Sequence, residues 1–136
     1  MVSLSKEELA LIARAQQAVE RFTAELAKLA PDWIDTLEED LRQRRLVEAR
    51  RKAVELRNMA GTTGWAPLEQ SAQSFVVVVT YAPNRRLDEL SRPVIDAMRK
   101  LARASDRGFT QSSRDLIAEV EALASYSRQL ADHVRH

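Results

Sequence analysis

Apolar residues recur every three or four positions along almost the whole chain, and this spacing predicts a protein built from amphipathic helices. The first apolar stripe consists of Leu11, Ala15, Ala18, Phe22, Leu26 and Leu29. Ser5 and Glu8 form the capping-box pattern of a helix N-terminus, with Leu4 and Leu9 on either side of it. The chain has only 3 Gly and 4 Pro, which favours long helices over short strands joined by turns. We therefore expect an all-α fold.

Breaks in this periodicity divide the chain into five or six predicted helices. Pro31 suits the first turn of a second helix, because a proline lacks the amide hydrogen that the first turn leaves unpaired. The stripe of that helix is lost at Arg44 and Arg45 and restarts out of phase at Leu46. One straight helix would push arginines into the core, so we predict a bend or a short break near residues 42–46.

The second half of the chain is divided by similar signals. Glycines at 61 and 64 predict the end of one helix, and residues 75–81 follow with a valine-rich run of strand propensity. Those residues keep helical spacing and have no second strand to pair with, so we predict a helix there. Pro93 either kinks the following helix or begins it afresh. Gly108 is expected to end it, and the last helix is predicted from about Ser112.

Composition limits the classes of protein that the chain can represent. Its 136 residues suit one helical-bundle domain, 1–136, with short connections between antiparallel neighbours. The formal charge of +1 gives no general attraction to nucleic acid or acidic lipid. With no cysteine, disulfides, thiolate catalysis and thiolate metal sites are excluded. The sequence shows no signal peptide and no apolar run long enough to span a bilayer. We expect a cytoplasmic protein without a membrane partner.

Candidate catalytic residues are scarce. His133 and His136 are the only histidines, and both lie at the C-terminus, where a buried catalytic or metal-binding role is disfavoured. No base is placed to activate a hydroxyl nucleophile. An acidic cluster is interpreted as a solvated face, because bundle metal sites draw ligands from several facing helices; it comprises Asp32, Asp35, Glu38, Glu39 and Asp40. We predict no enzyme activity, no metal site and no cofactor.

The densest basic stretch also lacks a specific signature. It comprises Arg42, Arg44, Arg45, Arg50, Arg51, Lys52 and Arg57. Nucleic-acid binding would require interleaved aromatic residues or a recognisable reading helix, and neither is present. We therefore predict no nucleic-acid partner. A docking surface for an acidic protein is favoured, since electrostatic steering needs only local charge complementarity.

Residues 23–75 resemble the core of the histidine-phosphotransfer (HPt) family. In that family an acidic helix leads to a second helix with the pattern Ala-His-x-Leu-Lys-Gly, followed by small residues, a glycine and a third helix. Here residues 56–61 read Leu-Arg-Asn-Met-Ala-Gly, and residues 62–68 read Thr-Thr-Gly-Trp-Ala-Pro-Leu. Residues 31–39, Pro-Asp-Trp-Ile-Asp-Thr-Leu-Glu-Glu, are similar to the acidic part of the family's first helix.

The resemblance places Arg57 at the position of the phosphorylated histidine and Ala60 at that of the lysine. Met59 matches the buried leucine and Gly61 the glycine, whereas Gly64 comes sooner than the family's later glycine. Arginine stays protonated and is not a nucleophile, so it does not carry a phosphoryl group. The resemblance therefore implies an HPt-like domain that does not relay phosphate.

An HPt-like fold implies an antiparallel four-helix bundle, with its core at about residues 23–105 and an additional N-terminal helix. It also implies a non-catalytic adaptor or regulator in two-component signalling, whose partner is a response-regulator receiver domain or a histidine kinase. The expected partner-binding residues are Arg50, Val54, Arg57, Asn58, Gly61, Thr62, Gly64 and Trp65.

A second interpretation is a helical oligomerisation or scaffold module unrelated to phosphorelay, whose first and last helices pair with copies of the chain. Trp33, Trp65 and Phe109 are candidates either for interface anchors or for the core. The sequence leaves a homo-oligomer open.

Overall fold

The structure, a computed structural model, describes residues 3–104 and 107–135, which form five α-helices and one short 3-10 helix. Residue 105, the predicted end of the HPt-like core, and His136 lie outside the described residues. The α-helices are α1 (Lys6–Arg42), α2 (Leu46–Thr62), α3 (Ala66–Tyr81), α4 (Leu87–Arg103) and α5 (Gln111–Arg135), with the 3-10 helix at Asn84–Arg86. The described residues contain no strand, so the all-α prediction and the helical prediction for residues 75–81 are confirmed.

The predicted helix start at Pro31 is wrong, because Pro31 lies inside a single helix of 37 residues. The core side of α1 runs through the proline without a change of phase, and its buried apolar residues are Leu26, Ala30, Ile34, Leu37 and Leu41. Burial of this continuous stripe compensates for the one backbone hydrogen bond that a proline removes. Pro93 likewise lies inside α4 and does not begin a new helix.

The N-terminal half of α1 does not pack against the core. Residues 3–25 are exposed except for Thr23, which is half-buried. The stripe predicted there forms a helical face, but Leu11 is 61% exposed and Phe22 is 41% exposed. The helix begins with the predicted capping box between Ser5 and Glu8. None of the described helices is both long enough and apolar enough to cross a bilayer.

The predicted break near residues 42–46 is confirmed. Helix α1 ends at Arg42, Arg44 adopts a positive φ of 60°, and α2 begins at Leu46. The predicted stop after α2 is also present, since Gly64 has a φ of +73°, a conformation that glycine adopts without steric cost. These two turns reverse the chain between α1, α2 and α3.

Helix α3 lies at the centre and packs against α2, α4 and α5. Its four consecutive valines, 76–79, are all buried, so apolar side chains point to every side of the helix. Ala49, Ala53 and Ala60 of α2 are fully buried, and their small side chains allow the two helices to approach closely. One continuous hydrophobic cluster contains residues from all five helices.

Side-chain pairs at the two ends of α4 show that α1 and α4 run antiparallel. On α4, Arg99 binds Asp35 and Glu38 of α1 at 2.9 and 2.7 Å, while Asp88 binds Arg44 at 2.9 Å at the other end of α4. The hydrogen bond from Arg99 lowers the pKa of Glu38 below its usual value. This pairing means that part of the acidic cluster joins α1 to α4 and is not simply a solvated face.

Asp40 departs most from the solvated acidic face, because it is 3% exposed. Its carboxylate accepts hydrogen bonds from Lys52 and, at 2.9 Å, from Arg45. Those two cations lower the pKa of the Asp40 carboxyl, the contact with Lys52 having the larger effect. Trp33 donates its indole hydrogen to the carbonyl of Lys52 at 2.8 Å. These contacts fasten α1 to α2 beside the turn that joins them.

Replacing Asp40 with asparagine is expected to destabilise the fold by about 2 kcal/mol at pH 7. That value lies below the roughly 3–5 kcal/mol for breaking a fully buried pair, since both cations reach solvent. Because folding lowers the pKa of Asp40, its contribution is present above the usual value of 3.8 and is lost as the pH falls through the lower folded value. Urea unfolding at pH 7 and pH 3 should show the difference between the native protein and Asp40→Asn shrinking in acid.

A matched control is Glu39→Gln, because Glu39 makes an exposed pair with Arg42. Exposed pairs contribute about 0–1 kcal/mol, so this variant should unfold close to the native midpoint. Equal destabilisation by the two variants would contradict a special role for the buried carboxylate.

Candidate functional site

A groove of about 990 Å³ runs between α2 and α5, with α3 as its floor. Both flanking helices pack against α3, and within residues 3–104 and 107–135 they do not pack against each other. The groove is lined by Arg57, Asn58, Gly61, Thr62, Glu69, Gln70, Gln73, Ser74, Val77, Glu121, Ala124, Ser125 and Arg128. The lining is therefore largely polar and carries charges of both signs, and Val77 is the apolar residue that α3 contributes to it.

Arg57 is held at the α2 side of the groove by neutral groups. Its guanidinium donates to the side-chain oxygens of Gln73, at 2.5 Å, and Asn58, at 3.3 Å. The buried stripe of α2 lies beside it, and Arg57 is half-buried and faces the groove. Amide oxygens orient a guanidinium without neutralising its charge.

Several other cations of the basic stretch are paired with carboxylates. Arg42 binds Glu39, Arg44 binds Asp88, and Arg51 binds Glu48. Arg45 and Lys52 share Asp40, as described above. Arg57 differs from these residues, because the partners that hold it carry no charge.

Gly61 does not present fully bare backbone. The carboxylate of Glu69, on α3, lies so close that a Cβ built on Gly61 would stand 2.0 Å from its Oε2 atom. Glu69 is half-buried and Gly61 is exposed. A partner that approaches the end of α2 therefore meets a carboxylate beside the glycine, one turn from Arg57.

The opposite wall of the groove comes from α5. Arg128 lies with its guanidinium 5.6 Å from the centre of the Tyr81 ring, a cation–π contact that fixes the charge at the end of α3. Glu121 is exposed nearer the other end of the groove. Between them, Ala124 and Ser125 have small side chains, so the middle of this wall projects little. The groove therefore carries Arg57 on the α2 side, Glu69 on the floor, and Glu121 and Arg128 on the α5 side.

The groove lining contains two carboxylates, Glu69 and Glu121, and no histidine or cysteine. The described residues contain no group of three or more potential ligands that could hold a metal ion. His133 is exposed at the end of α5, away from the groove.

The structure divides the eight predicted partner-binding residues among four places. Four of them line the groove, namely Arg57, Asn58, Gly61 and Thr62. Arg50 and Val54 lie nearer the start of α2 and line a separate cavity of about 500 Å³ with Val79. Gly64 is exposed in the turn before α3.

Trp65 is not part of a docking surface, because it is 1% exposed and belongs to the core. Arg107 covers its ring at 4.6 Å from the ring centre. Its position directly before α3 turns the indole inward, towards the helices that α3 joins. Of the other two aromatic candidates, Trp33 is half-buried and Phe109 is 43% exposed.

Sequence reasoning missed the groove residues on α3 and α5. Glu69 and Gln73 lie one to two turns into α3, and no local pattern marks them as neighbours of Arg57. Glu121 and Arg128 are further still along the chain, and they reach the site only because α5 packs on α3. The only available signal was their polar character on otherwise apolar helices.

Comparison with models of known protein families, with curated proteins and with solved structures gave no match for this chain.

Alanine at positions 61 and 64 should have opposite effects on stability. Gly61 is helical, and an added Cβ meets only the flexible end of Glu69, so Gly61→Ala should stabilise by about 0.5 kcal/mol through helix propensity. Gly64→Ala should destabilise by about 1 kcal/mol, because the left-handed conformation is unfavourable for alanine. Thermal unfolding of both variants measures this difference, and equal shifts would contradict the conformational argument.

Proposed function

We propose that this chain is a non-catalytic, HPt-like adaptor that binds a response-regulator receiver domain or a histidine kinase without carrying phosphate. In this proposal the C-terminal half of α1 together with α2, α3 and α4 corresponds to the antiparallel four-helix bundle of about residues 23–105, and the N-terminal half of α1 is the additional N-terminal helix. The motif resemblance of residues 56–61 supports the assignment of α2 as the helix that carries the docking surface.

The observation that supports the proposal is the position of Arg57 and the neutral character of its hydrogen-bond partners. Arg57 stands where the resemblance places the phosphorylatable histidine, at the edge of a groove, and amide oxygens hold it without neutralising it. A cation that neutral groups hold in place pairs with a carboxylate of a partner and costs little to reorganise on binding. The active site of a receiver domain is a cluster of acids.

The charges around Arg57 also define the kind of partner. Glu69 and Glu121 balance Arg57 and Arg128 within the groove, so the surface suits a protein face that carries both charges and disfavours a uniform polyanion. Glu69 lies between Gly61 and the approaching partner and must turn away on binding. We infer that Glu69 weakens the binding of an acidic partner and contributes to selectivity.

Charge reversal at Arg57 tests the proposal. A panel of purified receiver domains and histidine kinase cores is immobilised, and binding is measured by surface plasmon resonance. Arg57→Glu should weaken binding at least about 30-fold, which corresponds to about 2 kcal/mol for a lost charge pair. Glu69→Gln should strengthen binding about fivefold, since it removes a repulsion of about 1 kcal/mol.

The matched control is Arg92→Glu, the same charge change at an exposed position on α4 outside the groove. It should leave affinity within about twofold of the native value, and circular dichroism should show unchanged helix content for every variant. Absence of binding to the whole panel, or equal losses for Arg57→Glu and Arg92→Glu, would overturn the proposal. So would stable phosphoryl label on this chain after incubation with a phosphorylated receiver.

A further inference from the structure

The N-terminal half of α1 is a long helix whose apolar face nothing in the described structure covers. Its large exposed apolar residues are Leu4, Leu9, Leu11, Ile12, Val19, Phe22 and Leu29, with exposed fractions between 41% and 61%. An isolated helix of this length is marginal in water, and a contiguous exposed apolar patch of this kind marks an interaction surface. The exposed apolar face therefore indicates that this segment packs against a partner.

The pattern of the stripe is symmetric about its own centre. Leu4 and Leu29, Leu11 and Phe22, and Ala15 and Ala18 are three pairs that share one midpoint, between Gln16 and Gln17. Leu11, Ala15, Ala18, Phe22 and Leu29 occupy a and d positions of successive heptads on α1, the positions that meet in a helix pair, and Leu4 directly precedes the N-cap Ser5. A face of this kind is complementary to a copy of itself that runs in the opposite direction, as a two-fold axis requires.

The edges of the stripe fit the same pairing. Ile12 falls beside the partner's Val19 and adds apolar contact on one edge. On the other edge Lys28 falls beside the partner's Glu7, so opposite charges meet near both ends of the pair. The central pair, Ala15 and Ala18, is small and permits the two backbones to approach closely.

We propose that the chain forms a two-fold symmetric dimer in which the Leu4–Leu29 segments of two copies pack as an antiparallel helix pair. This arrangement covers the apolar stripe of both copies. It places the helical core of one copy at one end of the pair and the core of the other copy at the opposite end. Each side supplies fewer residues than the roughly 20–30 of a standard interface, so the dissociation constant is on the order of micromolar. The dimer is independent of the groove between α2 and α5.

Two features oppose the pairing and give it a distinctive signature. Glu8 falls opposite the partner's Glu25, which places like charges within the apolar seam. Arg14 falls near the partner's Arg21 at the edge, where water and salt screen the repulsion. Removal of the charge at Glu25 should therefore strengthen the dimer, whereas the same change on the outer face, at Glu20, should not.

Sedimentation velocity of the full chain from about 1 to 200 μM tests assembly. The native protein should change from monomer to dimer across this range, on the basis of a micromolar constant. Phe22→Glu should weaken the dimer at least about 100-fold, because two charges would enter the seam. Gln17→Glu adds a charge on the opposite face and should leave the constant within about twofold.

Glu25→Gln should tighten the dimer about fivefold, as expected for relief of a like-charge contact. Glu20→Gln is its control, because Glu20 lies on the outer face of the same helix. The core helices of all four variants should remain intact by circular dichroism, since none of these side chains belongs to the core.

Spin labels determine the direction of the pair, and the lack of native cysteine makes single labelling simple. Positions 10, 17 and 24 share one heptad position, so a parallel pair predicts three equal distances. An antiparallel pair centred between Gln16 and Gln17 offsets the two labels along the axis by about 2 Å at Gln17→Cys, and by roughly 20 Å at Ala10→Cys and Ala24→Cys. Pulsed EPR distances should therefore be shortest at position 17.

Three results would overturn the dimer: a monomer at 200 μM, a dimer that Phe22→Glu leaves intact, or equal distances at the three labelled positions. A larger assembly that Phe22→Glu does not dissociate would also exclude it. Receiver binding by Phe22→Glu separates the two proposals, because a monomeric variant should retain groove affinity.

Discussion

The whole fold depends on the need to bury most of α3. Four consecutive buried valines place apolar side chains around most of this helix, so neighbouring helices must cover it apart from the strip that carries Glu69, Gln70 and Gln73. Helices α2, α4 and α5 do so, and α1 closes the assembly by packing on α2 and α4. The alanines of α2 are a consequence of this constraint, since larger side chains would hold α2 away from the central helix.

The groove follows from the same arrangement. Because α2 and α5 both lie on α3 without contact between them in the described residues, a strip of α3 remains open between two walls. The polar residues of α3 are found along that strip, where Glu69 and Gln73 meet Gly61 and Arg57. The strip of α3 that helix packing leaves open is therefore also the surface on which Arg57 is oriented.

Electrostatic contacts act mainly to fix neighbouring helices relative to one another. Asp40 joins α1 to α2, and Arg99 joins α4 to α1 through Asp35 and Glu38. The acidic and basic runs of the sequence therefore largely pair with each other. Arg57 stands apart because its contacts orient the charge without cancelling it.

Local sequence was enough to predict most of the helices, because periodicity, caps and glycines act over one or two turns. It predicted the break at residues 42–46 and the helical state of residues 75–81. It misplaced a boundary at Pro31, where the local preference of proline was overridden by a buried stripe that runs from Leu26 to Leu41. That error arose because tertiary burial contributes more than one missing hydrogen bond.

The contacts between polar residues of different helices depend on tertiary packing and could not be predicted from the sequence. The turn before α3 buried Trp65, which the sequence left open as an anchor, and helix packing brought Glu69 and Arg128 to the groove from distant positions. It also left the first helical stripe exposed, although that stripe has the same periodicity as the buried ones. Periodicity shows that a helix has an apolar face, but the length and placement of neighbouring helices determine which part of that face is covered.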